Sequence, residues 1–355
     1  VSLTILNVAY PLAPVGPDAV GGAEQVLAHI DQGLVAAGHH SIVIAPAGSR
    51  TAGTLVAVAA ESGALDDAAR RRAHSRFRDA ILAALQRWPV DLVHLHGIDF
   101  HRYLPPPDVP VLVTLHLPPS WYPQEALAPG RPKTWLHCVG QTQHDACPKT
   151  PRLLPPIPNG VPVDRLTRRH AKRRFAIVLG RICPEKGVHI AIEAARRAEI
   201  PLLIAGEVFR YEAHQRYFED EVRPRLDHAR RFIGPVGFAR KRRLLSAAQC
   251  LLVPSLAPET SSLVAREALA CGTPVVGFRQ GALPETIEHG RTGLLVDTVE
   301  SMADAIGAAA SLDARLCRAE ARRRFSLSRM IQRYIELYAS LVNERAGPVP
   351  AHGAA

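Results

Sequence analysis

Four side chains in this 355-residue chain have the types and spacing to do chemistry: Arg181 and Lys186 in RICPEKG, and Glu259 and Glu267 in PETSSLVAREALACGTPVVGF. Two cations five positions apart, in a turn that holds a proline and a glycine and opens a helix, can converge on one diphosphate, with the helix start adding its free amides. The bland alternative is a solvated surface turn. Pro254 and Pro258 break the strand before the acids, Ser261 or Ser262 can cap a helix, and Gly272 followed by Pro274 ends it. Glu259 then falls in a loop and Glu267 within the helix, so the two need not share a face. One can accept hydrogen bonds from hydroxyls at the mouth of a cleft, the other from a diol deeper along it. The amides of Ser262, Leu263 and Val264 lie between them and suit phosphate oxygens.

Two further stretches invite the same question. Gly21 and Gly22 immediately precede a predicted helix, where the backbone can approach an anion, although a plain flexible turn has the same composition. The spacing is not a dinucleotide fingerprint, because GxGxxG and an acidic partner after the second strand are both missing. His94 and His96 alternate on a strand and share a face, as metal-binding pairs do, with His116 as a conceivable third ligand. No matching Asp or Glu follows at a strand end, so metal is not expected there.

Positioning such groups requires strands that end beside one another. Short Val, Ile and Leu runs alternate with helix-period segments (LTILNVAY, AEQVLAHIDQGLVAAG, HSIVIAPAG, DLVHLHG, VPVLVTLH), and the rhythm restarts at FAIVLGRI. That pattern predicts an α/β chain of two doubly wound, Rossmann-like domains. Proline, Asn-Gly and charge crowd LLPPIPNGVPVDRLTRRHAKRR, which places a boundary near Asp164. The domains expected are 1–164 and 165–327, a strong terminal helix follows, and GPVPAHGAA is expected to fray. In open sheets of this kind ligands sit beyond the carboxyl ends of the strands, where all the residues above fall.

Composition narrows the partners without choosing one. The formal net charge of +10 favours anions in general, whether nucleic acid, an acidic membrane or phosphorylated small molecules. Lysine occurs at only five positions (133, 149, 172, 186 and 241) in an arginine-rich chain, which gives Lys186 some weight. Six cysteines without a CxxC pair argue against a zinc ribbon or a disulfide framework, and reduced, buried thiols are expected. The opening SLTILNVAY reads as a strand and not as a signal peptide, and no apolar run is long enough to cross a bilayer, so a cytoplasmic protein is expected. Residues 66–88 carry arginines ahead of Phe77, Ile81, Leu82, Leu85 and Trp88; the stripe suits an acidic membrane surface or packing on a sheet. RKRR at 240–243 is similarly ambiguous, and without interleaved aromatics nucleic acid is not expected.

Taken together, Gly21-Gly22, Thr114-Leu115-His116, Pro158-Asn159-Gly160-Val161, Gly180-Arg181 with Glu185-Lys186-Gly187, and the Glu-seven residues-Glu element ending in ACGTPVV resemble the family-four (group 1) retaining glycosyltransferases of the GT-B fold. The resemblance implies two domains facing across a cleft, with a terminal helix over 328–345 crossing back onto the first. It implies that Arg181 and Lys186 bind the diphosphate of a UDP- or GDP-linked sugar, Glu267 the ribose and Glu259 the sugar hydroxyls, with His116 facing that sugar. The base would lie near Gly206 and Val236 of the FIGPVGF turn. No DxD motif is present to hold a divalent ion, so no metal or other cofactor is expected. Phe100, Tyr103, Trp121 and Tyr122 could stack on an acceptor. Members often carry glycine two or three positions after the first glutamate, where Ser261 and Ser262 stand here. A GT-B epimerase or phosphorylase would share the cleft; a basic nucleic-acid- or membrane-binding protein is the reading of another class.

Overall fold

The computed structural model describes residues 2–343 apart from 64, 168 and 169. The last two residues of the predicted terminal helix and the GPVPAHGAA tail lie outside them.

Strands of the first lobe are β1 (Thr4–Val8), β2 (His40–Pro46), β3 (Thr54–Val58), β4 (Leu92–Leu95), β5 (Val111–Leu115), β6 (Thr134–Cys138) and β7 (Leu153–Leu154), in the order β3-β2-β1-β4-β5-β6-β7. The second lobe has β8 (Ala176–Leu179), β9 (Leu202–Ala205), β10 (Arg230–Phe232), β11 (Cys250–Val253), β12 (Val275–Phe278) and β13 (Gly293–Val296), in the order β10-β9-β8-β11-β12-β13. Every pairing is parallel. Parallel strands need helices on both faces, and this is why β4, β5, β6, β8 and β11 are buried from end to end and why β8 and β11 read as unbroken apolar runs.

Both orders reverse direction at the first strand of the lobe. β1 lies between β2 and β4, and β8 between β9 and β11, so the loops leaving β1 and β4, or β8 and β11, diverge and open a crevice. The Gly21-Gly22 loop follows β1, the histidines end β4, Arg181 and Lys186 follow β8, and Glu259 follows β11. The doubly wound topology therefore delivers the predicted groups to two facing crevices.

The helix Asp67–Arg87 buries Phe77, Ile81 and Ala84 in the core of the first sheet. Its arginines point outward: Arg72 and Arg76 pair with Glu61, and Arg87 lies over the Trp88 ring. Packing on the sheet thus uses most of the stripe, leaving Leu82 exposed. Among the described residues no helix is long and apolar enough to cross a membrane. All six cysteines are buried and unpaired by disulfides.

Between the lobes the chain crosses twice, and the two crossings lie side by side. Val161 N–H donates to Phe325 O at 2.8 Å, and Leu327 N–H donates back to Val161 O at 3.1 Å. Only glycine fits at position 160, where a Cβ would lie 2.7 Å from Leu327 Cα. After the first crossing, Val161, Val163 and Leu166 pack in the second lobe's core, so Asp164 falls within a short helix (Val163–Leu166) of that lobe. After the second, the helix Leu327–Asn343 returns to the first lobe and buries Met330, Tyr334, Tyr338 and Leu341 against Ile5, Ile30, Leu92 and Leu112.

Candidate active site

The turn after β8 is shaped by Gly187, whose φ of +58° is left-handed and whose Cβ, if present, would lie 2.2 Å from Pro254 O. This close approach brings the β8 turn against the β11 loop. Lys186 Nζ donates to Glu259 Oε1 at 2.5 Å, and Ser255 Oγ donates to the same oxygen. Burial alone would raise the Glu259 carboxyl, but Lys186, Ser255 and then Arg181 outweigh it and hold it below the usual range. The Arg181 side chain makes no hydrogen bond or ion pair among the described residues, although the residue's carbonyl accepts from the Cys183 thiol. Its guanidinium is therefore the cation of this turn left available to an anionic ligand.

Ser262 explains the serines that stand where glycine was expected. It adopts φ +46°, ψ +72°, a left-handed conformation that favours glycine, and it begins the helix Leu263–Ala270 without capping it. The hydroxyls of Ser261 and Ser262 are buried and, among the described residues, without a hydrogen-bond partner. Together with the free amides of the first helical turn they are donors waiting for an acceptor.

Glu267 is 3% exposed, and it is held by a residue the sequence did not single out: Lys241 Nζ donates to Glu267 Oε1 at 2.5 Å. Both line a cavity of about 230 Å³ with Gly180, Gly206, Val236 and Val264, whose far side is closed by Asp18, Ala19 and Val20 of the first lobe. Gly206 and Val236, read as base-binding, and Glu267, read as ribose-binding, thus share one cavity between the lobes. Gly206 is glycine of necessity, since a Cβ there would meet Gly180 O at 1.7 Å.

Across the crevice, Gly21 and Gly22 serve contacts within the protein. A Cβ on Gly21 would lie 1.8 Å from Glu24 Oε2, and one on Gly22 would touch Leu263 of the second lobe at 3.3 Å. Burial pushes the Glu24 carboxyl up, partly offset by its own backbone hydrogen bond and by Arg181. His116 is clasped to the acid loop through its backbone, with Thr260 Oγ1 donating to His116 O at 2.7 Å. Glu285 of the second lobe accepts from the amides of Gln141 and Thr142 at 2.9 and 2.5 Å. Of the four aromatic residues considered for acceptor stacking, Phe100, Tyr103 and Tyr122 are buried in the core, and only Trp121 is exposed. Tyr122 instead positions His116, since its hydroxyl accepts from the amides of His116 and Leu117.

His94 and His96 do share a face, with ring centroids 4.0 Å apart, and they belong to a buried hydrogen-bonded network. His94 lies 2.7 Å from both Tyr338 Oη and Thr114 Oγ1, Thr114 Oγ1 lies 2.7 Å from His137, and His96 Nδ1 lies 3.0 Å from His116 Nε2. Tyr338 comes from the returning helix, so its hydrogen-bonded group reaches the His96–His116 pair through the ring contact between His94 and His96. Burial first, then His137, pushes His116 down to about 3; burial brings His137 down to about 4, and burial with the neighbouring histidines holds His94 and His96 well below their ordinary value. The ring at the cleft is therefore neutral at neutral pH.

A consequence for stability follows from the signs. The unfolded chain protonates these rings as pH falls through about 6.5, whereas in the folded chain burial holds all four below that, His137 down to about 4. Acid thus favours the unfolded state by about 1.4 kcal/mol per pH unit for each ring across that window. Urea unfolding at pH 7.5 and pH 5 is expected to lose several kcal/mol; equal stabilities would mean that the network is already open in the native state.

Two doubly wound lobes facing across a cavity, with a returning terminal helix, are the architecture of the GT-B glycosyltransferases. The profile of glycosyl transferases group 1 matches residues 173–311, and that of glycosyltransferase family 4 matches residues 20–165. The chain belongs to the group 1, family-four glycosyltransferases. A curated D-inositol 3-phosphate glycosyltransferase from Corynebacterium urealyticum is 33% identical over 50% of this chain and 45% of its own length. A glycogen synthase of Mycobacterium tuberculosis is 37% identical over 33% of the chain and 29% of its own length. The chain thus matches less than half the length of these two relatives. Among solved structures, AviGT4, a glycosyltransferase of avilamycin A biosynthesis, is similar with a TM-score of 0.73 at 25% identity, over 96% of this chain and 98% of that one. Anabaena HepE in complex with UDP-glucose has a TM-score of 0.74 at 19% identity, over 95% and 100%, and shares the fold.

Proposed function

We propose that the protein transfers a hexose from a nucleoside-diphosphate sugar to an acceptor hydroxyl, with retention of anomeric configuration and without a catalytic divalent ion. The observation that carries this reading is the turn after β8, where among the described residues the Arg181 side chain has no ion pair beside a Lys186–Glu259 pair, and where the preceding Gly180 lines the cavity that holds Glu267. Arg181, Lys186 and the first amides of the helix Leu263–Ala270 would meet the charge that grows on the leaving phosphate. Glu267 would take the ribose diol, and Glu259, ionised by its partners, the sugar hydroxyls. Neutral His116 would face the sugar from the first lobe.

Glu259 is engaged by Lys186 and Ser255 and is read as a sugar-binding group. With no side chain assigned as a nucleophile behind the sugar, the reading is front-side attack, in which the departing phosphate takes the acceptor's proton. UDP serves as the first nucleotide to test because HepE was solved with UDP-glucose; a cytoplasmic enzyme fits such a donor. In EDTA-treated protein, saturable UDP or GDP binding and slow release of an α-configured sugar from the matching donor, followed by NMR, are the expected results. Activity that vanishes with EDTA and returns with manganese would overturn the metal-independent reading, and a β-configured first product would overturn retention.

A further inference from the structure

Three potential metal ligands meet at the turn after β8. Cys183 opens the turn Pro184–Lys186 after β8, and His214 lies on the helix Glu212–Tyr217 after β9. Because β8 and β9 are neighbours in register, their carboxyl ends bring residues 31 positions apart in sequence into one cluster. The Cys183 thiol, the Glu185 carboxylate and a ring nitrogen of His214 all lie within 4.8 Å of one another.

The state of these groups points to an ion. Cys183 is fully buried and His214 is 9% exposed. The Nδ1 of His214 is buried without a hydrogen-bond partner, which costs free energy that a ligand would relieve. Glu185 forms no ion pair among the described residues, although Lys186 is next to it in sequence. The His214 ring is fixed by an edge-on contact with Tyr211 at 5.2 Å and by stacking with Phe209 at 6.2 Å. Such outer packing orients a ligating imidazole.

We propose that Cys183, Glu185 and His214 bind one Zn2+-class ion beside the diphosphate turn. A thiolate, an imidazole and a carboxylate form a donor set for zinc rather than for magnesium or manganese, and three protein ligands leave a fourth position for water. Tetrahedral bonds of about 2.0–2.3 Å place ligand atoms about 3.5 Å apart, against the 4.8 Å within which the three atoms lie here, so binding requires the cluster to contract. On binding, sulfur exchanges its proton for the ion, and that proton passes to solvent. The ion ties the turn that carries Arg181 to the helix after β9. This binding is separate from the proposed transfer reaction and does not depend on it.

Titrating the purified chain with Co2+ alone tests the site, with neither donor nor acceptor present. One equivalent is expected to give a thiolate-to-cobalt charge-transfer band with the visible bands of four-coordinate cobalt, and Zn2+ is expected to abolish both. Cys183→Ser and His214→Ala are expected to keep the far-ultraviolet dichroism of the parent but weaken the metal at least ~10-fold. Glu185→Gln provides the same comparison if His214→Ala does not fold. Absence of the charge-transfer band, or the same band and affinity in Cys183→Ser, would overturn the proposal. Loss of metal binding with intact sugar release, or the reverse, separates this site from the transfer site.

Discussion

Arg181→Ala is expected to reduce sugar transfer by about 10²–10³-fold while leaving the melting temperature unchanged. Among the described residues the side chain forms no hydrogen bond or ion pair, so its removal takes away a fixed charge and only the longer-range support that charge gives the Glu259 and Glu24 carboxylates. An arginine is permanently charged and can engage two phosphate oxygens at once, so Arg181→Lys should recover only part of the loss. Lys186→Ala is expected to show a similar kinetic defect but also a stability cost. It leaves the buried Glu259 carboxylate with Ser255 as its remaining side-chain partner. Measuring kcat and thermal unfolding on both variants distinguishes the two roles. A wild-type rate for Arg181→Ala would show that the leaving group is neutralised elsewhere.

The second large effect concerns the cavity floor. Lys241 and Glu267 are 11% and 4% exposed at the side chain, so replacing either alone leaves the other charged, unpaired and nearly buried. Glu267→Ala or Lys241→Met is expected to cost about 3–5 kcal/mol. A buried pair often contributes little net stability compared with apolar residues, so Lys241→Met with Glu267→Leu should recover most of that loss. Nucleotide binding should not recover, because the ribose acceptor is gone. Urea unfolding and nucleotide titration of the two singles and the double carry the test. If the double variant binds nucleotide as the parent does, the ribose lies outside this cavity.

Much of the fold was legible because parallel strands buried on both faces leave long apolar runs, and the site loops because both sheets reverse at their first strand. Glu259, Glu267, Arg181 and Lys186 stood out by residue type at strand ends. Lys241 did not, since RKRR looks like any solvated run. The signal was its register: Phe238, Lys241 and Leu245 lie three and four residues apart, on one face of the helix Phe238–Ala247, where Lys241 and Leu245 are buried. Cys183 and His214 could not be joined from sequence, because only the adjacency of β8 and β9 connects them. Local composition likewise does not distinguish a ring stacked in the core from one held at a cleft, as Phe100, Tyr103 and Tyr122 illustrate.

The laced crossings at Val161 and Phe325–Leu327 act as the spine of a book rather than as a tether. A single flexible strand would let one lobe swing, slide and twist on the other, and each motion would misplace a sugar held by one lobe and attacked from the other. Two backbone segments stitched to each other give way easily only to bending across the seam, because sliding and twisting must tear the stitches. Substrate-driven movement is thereby narrowed toward one degree of freedom, and the distance between His116 and Glu259 becomes its natural coordinate.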